Sequence, residues 1–152
     1  IDDLFELPAL YRTAREALEL MMDRRFHGGN VCTVAQLRTP LLLKELEGRS
    51  DLIAKEIREL AAHDKKKDTQ YCETLYHYLT CCRSLKKTCD ALFTHRNTVL
   101  YRIRRIEDDF AIPLDEPAAH ADLLAGVSLL LFKERGSDFF LHTINKNERE
   151  EQ

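Results

Sequence analysis

Apolar residues recur at the helical period along almost the whole chain, and alternating, strand-like stretches are nearly absent. That regularity restricts the fold to an all-α, multi-helix domain, with at most a short extended piece near the N-terminus at Asn30–Val34. Start and stop residues divide the pattern into helices. Leu7, Leu10, Tyr11, Ala14, Ala17, Leu18 and Met21 form one apolar stripe, which Gly28 and Gly29 end. Thr39 and Pro40 read as the N-cap and first residue of a helix over Leu41–Glu47, closed by Gly48. Ser50 caps the next helix, with Leu52, Ile53, Ile57, Leu60 and Ala61 facing inward. The run Lys65-Lys66-Lys67 reads as a solvated connection rather than a binding patch. Asp68 or Thr69 then opens a helix through Cys82 that turns Cys72, Leu75, Tyr76 and Leu79 inward. Ser84 caps a short helix to Leu92, and a tight turn at Phe93-Thr94 leads to a longer helix reaching about Phe110. Ile112-Pro113-Leu114 breaks that helix, and Asp115-Glu116-Pro117 starts the last long one, which ends at Gly136. Its centre, Leu123–Phe132, is apolar nearly all round and requires burial in the core or in a dimer interface. The tail Asn145–Gln152 is too polar to pack.

Composition removes several function classes. A chain of 152 residues buries a core without disulfide or metal staples. Leu123–Phe132 supplies only half of the ~20 apolar residues a membrane span needs. The start lacks a basic region followed by an apolar stretch, so no signal peptide is visible, and the chain reads as a fragment of something longer. Cys32, Cys72, Cys81, Cys82 and Cys89 are odd in number and match no zinc or thioredoxin-like spacing, so they read as reduced, small apolar residues of a cytoplasmic protein. Cys72, His77 and Cys81 do not share one helical face, which argues against a metal site. There is no Gly-rich phosphate loop and no nucleophile–base pair, so neither a cofactor nor an enzymatic activity is expected.

The net charge is only −3, but it is unevenly spread. From Arg83 to Ile106 there are seven basic residues against the single acid Asp90, a local +6 that leaves −9 for the remainder. This basic segment is also where two helices meet at a short turn, the plan of a helix-turn-helix. At about 100° per residue, Val99, Ile103, Ile106 and Phe110 fall on one core stripe of the second helix. Asn97, Thr98, Tyr101 and Arg105 lie opposite, flanked by Arg102 and Arg104. Amide, hydroxyl and guanidinium groups on one face can bond base edges or phosphates. The helix start at Thr94, His95 and Arg96 adds free backbone N–H groups suited to phosphate. In the first helix Leu85, Thr88, Cys89 and Leu92 pack inward, leaving Lys86 and Lys87 toward the DNA backbone. Duller readings compete at each position. A basic face often serves only as soluble surface, Arg96 lies near the core side and can pair internally with an acid, and His95 can simply cap the helix.

The segment "SLKKTCDALFTHRNTVLYRIRRIEDDF" closely resembles the C-terminal helix-turn-helix of the PucR/CdaR family of bacterial regulators. The resemblance is carried by Leu92-Phe93, His95-Arg96-Asn97-Thr98, Val99-Leu100, Tyr101-Arg102 and Arg105-Ile106-Glu107, and it extends over Asp68 to Phe132. Cys89 departs from the family's usual alanine, but both are small. More weakly, "ALYRTAREALELM" and "LLLKEL" resemble the end of the upstream regulatory region of these proteins, often a degenerate GGDEF-like domain. On this reading residues 1–38 are a remnant of that region, 39–136 the helix-turn-helix domain and 137–152 a C-terminal tail. The resemblance implies sequence-specific binding of double-stranded DNA in the bacterial cytoplasm, at the nucleoid when bound, as a homodimer on paired half-sites. It also implies control of metabolite-responsive genes, purine or sugar-acid breakdown among known members, with the effector sensed outside this chain. The residues expected to contact DNA are Lys86, Lys87, Thr94, His95, Arg96, Asn97, Thr98, Tyr101, Arg102 and Arg105. The competing reading is a helical interaction or dimerisation module with a vestigial helix-turn-helix, to which the apolar Leu123–Phe132 stretch would contribute.

Overall fold

The computed structural model describes residues 4–23 and 32–141, and among these every regular element is helical. Gly28, Gly29, Asn30 and Val31 of the Asn30–Val34 piece, and the Asn145–Gln152 tail lie outside the described residues. Within that piece Thr33 is extended but serves as a helix N-cap, and Val34 is already helical. The chain divides into two compact units, residues 49–131 and residues 1–48 with 132–152.

In the discontinuous unit, α1 (Leu7–Met21) packs on α2 (Val34–Glu45). The expected stripe of α1 is not its buried side. Ala17 and Leu20 are buried and Met21 half-buried, while Leu7, Leu10, Tyr11, Ala14 and Leu18 are exposed. Helix α2 also starts earlier than Thr39-Pro40 suggests. The Thr33 hydroxyl accepts from the Gln36 N–H while the Gln36 side chain accepts from the Thr33 N–H, a reciprocal capping box that outcompetes the later signal. Pro40 then lies inside α2 and is buried with Leu37 and Leu43, so its packing offsets the backbone bond its ring cannot donate. Ala17, Leu37 and Leu141 form a small core with Met21, Cys32 and Leu41 around it. Residues 138–141, within the segment read as a tail, are helical and bury Phe140 and Leu141.

The continuous unit, residues 49–131, carries the basic segment. Ser50 opens only a 3-10 turn, Ser50–Leu52, and α3 runs Lys55–Lys67. Ile53, Ile57 and Leu60 are buried as the periodicity requires, whereas Leu52 is exposed. Lys65, Lys66 and Lys67 are the last turn of α3 rather than a connection, placing cations at the negative end of the helix dipole. Asp68 adopts a left-handed conformation that terminates α3 instead of opening the next helix. Helix α4 (Tyr71–Thr80) is followed by α5 (Leu85–Leu92) and α6 (Arg96–Phe110). These three contact one another pairwise, and α3 lies against α4 and α6. Cys72, Leu75, Tyr76 and Leu79 of α4 are all buried.

Ile112 and Leu114 bury the break after α6, and a 3-10 turn at Pro117–Ala119 leads into α7 (His120–Arg135), which Gly136 ends in a left-handed conformation. A Cβ at Gly126 of α7 would meet Ile53 Cγ2 at 3.4 Å and Ile57 Cγ2 at 3.7 Å, ordinary van der Waals contact, so α7 packs on these side chains at a distance that does not require glycine. Leu123, Val127, Leu129, Leu131 and Phe132 are buried within the chain itself. The apolar centre of α7 is therefore occupied by core packing and is not an open dimer face.

Candidate nucleic-acid interface

Each element of the helix-turn-helix is set by local chemistry. The Ser84 side chain caps α5 by accepting from the Lys87 N–H. Thr88, fully buried, satisfies its hydroxyl by donating to the Ser84 carbonyl at 2.8 Å. Leu85, Cys89 and Leu92 are half-buried, which leaves Lys86 and Lys87 exposed on the other side. Three residues, Phe93, Thr94 and His95, separate α5 from α6. Phe93 makes the turn in the left-handed region at φ 50°, a conformation that costs a side-chain-bearing residue about 1–2 kcal/mol.

In α6, Val99 and Ile106 are wholly buried and Ile103 nearly so, with Phe110 half-buried at the end of the same stripe. The opposite face is open: Asn97, Thr98, Arg104 and Arg105 are exposed, and Tyr101 retains 58% of its surface. Thr94 is half-buried and turns its hydroxyl back to the Leu92 carbonyl at 3.0 Å. His95 occupies the N-cap position, exposed, but its side chain makes no capping bond. The Thr98 and Val99 N–H groups donate to the His95 carbonyl, and among the described residues no acceptor meets the N–H groups of Arg96 and Asn97. Arg96 is exposed and forms no ion pair among the described residues, so it is not held internally by an acid.

The remaining cations are held in three different ways. Arg105 pairs with Asp109 at 2.7 Å one turn along, and this carboxylate, followed by lesser contributions from Tyr101 and Tyr71, raises the guanidinium's pKa. Arg102 is half-buried and donates to Thr74 Oγ1 and Gln70 Oε1, both at 3.2 Å. Those partners are neutral, so its positive charge stays uncompensated while its direction is fixed. Arg83 leaves the cluster: it donates to the Leu114 carbonyl at 3.0 Å and lies 3.5 Å from Asp115. Among the described residues Lys86, Lys87, Arg96, Arg102 and Arg104 have no acidic partner in an ion pair, so the face of α6 and the start of α5 carry a net positive field.

Sequence reasoning missed the residues that brace this face. Asp64 of α3 accepts from the Tyr71 N–H at 2.9 Å, the Cys72 N–H at 2.7 Å and the Thr69 hydroxyl, and so caps α4 from outside the helix. No spacing rule ties Asp64 to α4, nor Arg102 to Gln70 and Thr74. Burial raises the Cys81 thiol above its usual range, the opposite of nucleophile activation. Among the described residues no group of three His, Cys, Asp or Glu side chains is arranged to hold a metal, and no helix is long and apolar enough to cross a membrane.

Comparison with known proteins falls on the same part of the chain. The chain is 28% identical over 132 positions to the proline-responsive transcriptional activator PutR of Bacillus subtilis (strain 168), covering 83% of this chain and 32% of that protein. It thus spans about a third of the length of this relative. No solved structure matches the chain. Residues 71–129, from the first residue of α4 into the buried centre of α7, match the family model of the PucR C-terminal helix-turn-helix domain.

Proposed function

We propose that this chain is the DNA-binding part of a PucR-type bacterial transcription regulator, and that α6 reads base edges in the major groove. The observation that carries this reading is the division of α6 into a sealed stripe, Val99, Ile103 and Ile106, and an open face with Asn97, Thr98, Tyr101 and Arg105. A recognition helix needs both: the stripe fixes its orientation, and the open face supplies amide, hydroxyl and guanidinium groups to the groove. Asn97 and Tyr101 would read bases. Thr98 and Arg105 would share that face, with Arg105 leaving Asp109 when a phosphate or guanine edge is offered. Arg96, His95 and the exposed N–H groups at the start of α6 suit a phosphate, as does Arg102, aimed by Gln70 and Thr74. Lys86 and Lys87 would meet the backbone at α5, and Thr94 would contribute its backbone at the turn. The regulator would bind paired half-sites as a homodimer, with residues 1–38 ending an upstream region that senses the effector. It would act in the cytoplasm on metabolite-responsive genes.

A gel-shift titration on a selected operator and on random duplex tests the assignment. Asn97→Ala and Tyr101→Ala are each expected to weaken operator binding by about 1–3 kcal/mol while leaving random-duplex affinity unchanged, because base contacts discriminate sequences. Equal losses on both duplexes would remove these residues from base readout, and no shift of random duplex at low salt would remove the function. Lys86→Ala and Lys87→Ala should each lower the slope of log affinity against log salt by roughly one unit. An unchanged slope would make those lysines bystanders. The competing interaction-module reading loses its main argument, because the apolar centre of α7 is already buried within the chain.

A further inference from the structure

We infer that the last turn of α3, Lys65-Lys66-Lys67, is a second phosphate-binding element that grips the DNA backbone beside the Arg102–Arg105 edge of α6; this rests on α6 lying in the major groove. In the sequence these lysines read as ordinary solvated charge, and one cation at a helix C-terminus would be enough to answer the dipole. Their place in the fold gives them more to do. All three are exposed, and none forms an ion pair among the described residues. Asp64, the residue before Lys65, is directed away from them, since it caps α4 through the Thr69 hydroxyl and the Tyr71 and Cys72 N–H groups. Asp64 and Asp68 flank the three lysines in the chain, so the turn keeps a positive balance of one charge.

The path from this turn to the α6 face is short and fixed. Lys67 precedes Gln70 by three residues, at most ~11 Å of chain. Gln70 and Thr74, at the start of α4, are hydrogen-bonded at 3.2 Å to Arg102, which flanks the open face of α6. Tyr71, buried at the start of α4, interacts with Arg105, and its ring stacks on His63 of α3 at 5.2 Å. The end of α3 is therefore held against the edge of α6 where Arg102 and Arg105 emerge. A helix seated in a groove ~12 Å wide has a phosphate strand along each rim, and a lysine extends several ångströms beyond its backbone. The partner that fits this turn is the phosphate strand bordering the groove that α6 enters. Because lysine contacts phosphate as a point charge without reading sequence, the element adds affinity and salt dependence but no base preference.

The test compares wild-type protein with the triple variant K65Q/K66Q/K67Q, by fluorescence anisotropy across a salt series on operator and random duplex. Lys55→Gln, at the opposite end of α3, controls for net charge, and Asn97→Ala reports on α6. The triple variant is expected to lose about 0.9 unit of salt slope for each lysine engaged, equally on both duplexes, with helical content unchanged and only a slight fall in melting from the lost dipole contribution. An unchanged slope overturns the inference. So does an equal loss of slope per charge from Lys55→Gln, which would mean general electrostatic attraction rather than contact. If Asn97→Ala selectively loses operator binding while the triple variant keeps the wild-type slope, this inference alone fails. If wild-type protein binds no duplex, the groove-reading function fails with it.

Discussion

Replacing Ile106 with alanine should destabilise the helix-turn-helix unit by about 3–4 kcal/mol, measured as a fall in the urea midpoint with little change in slope. Ile106 is completely buried in the middle of α6, a helix that contacts α3, α4 and α5 together. Deleting its outer carbons removes contacts to several elements at once, and a helix braced on three sides cannot shift to fill the void. The effect is large beside the total of about 5–15 kcal/mol that holds a domain folded. Ile106→Val, which removes one methylene, should cost about 1 kcal/mol and leave DNA affinity intact, because the side chain points away from the open face. A loss below 1 kcal/mol for the alanine variant would show that the stripe is not packed as described.

Asp64→Ala should cost about 2–3 kcal/mol, the next largest effect. The carboxylate caps the start of α4 through two backbone N–H groups and the Thr69 hydroxyl. Truncation leaves these donors in a half-buried place where water replaces the carboxylate imperfectly. Asp64→Asn keeps an acceptor oxygen without the charge and should recover part of the loss. The local signature is faster hydrogen exchange at Tyr71 and Cys72, ahead of global unfolding. If their protection is unchanged in Asp64→Ala, the cap contributes nothing, whatever the melt reports.

The legibility of this protein follows the range of the interactions involved. In α6 the apolar spacing of Val99, Ile103 and Ile106 was sufficient to identify both the buried stripe and its opposite face, because helical azimuth depends only on positions along one element. Ser84 was legible as a cap for the same reason. Where two local signals competed, the reading failed. Thr39-Pro40 is a sound helix start, but the reciprocal pair Thr33 and Gln36 lies upstream and α2 begins there. In α1 the stripe was visible but not which side of it would be covered, since that depends on the residues α2 presents.

Residue order alone is enough for the helical character of the described residues, the helix-turn-helix at Ser84–Phe110, its concentrated positive charge and the outward placement of Asn97, Thr98, Tyr101 and Arg105. All of these follow from spacing and caps within a few residues. Packing of the helices was needed to turn Arg83 to Leu114, to aim Arg102 through Gln70 and Thr74, and to make Asp64 cap a helix other than its own. The same packing buries the apolar centre of α7 within the chain. Such contacts join positions far apart in the chain, so they exist only once burial of the apolar stripes has brought the helices together.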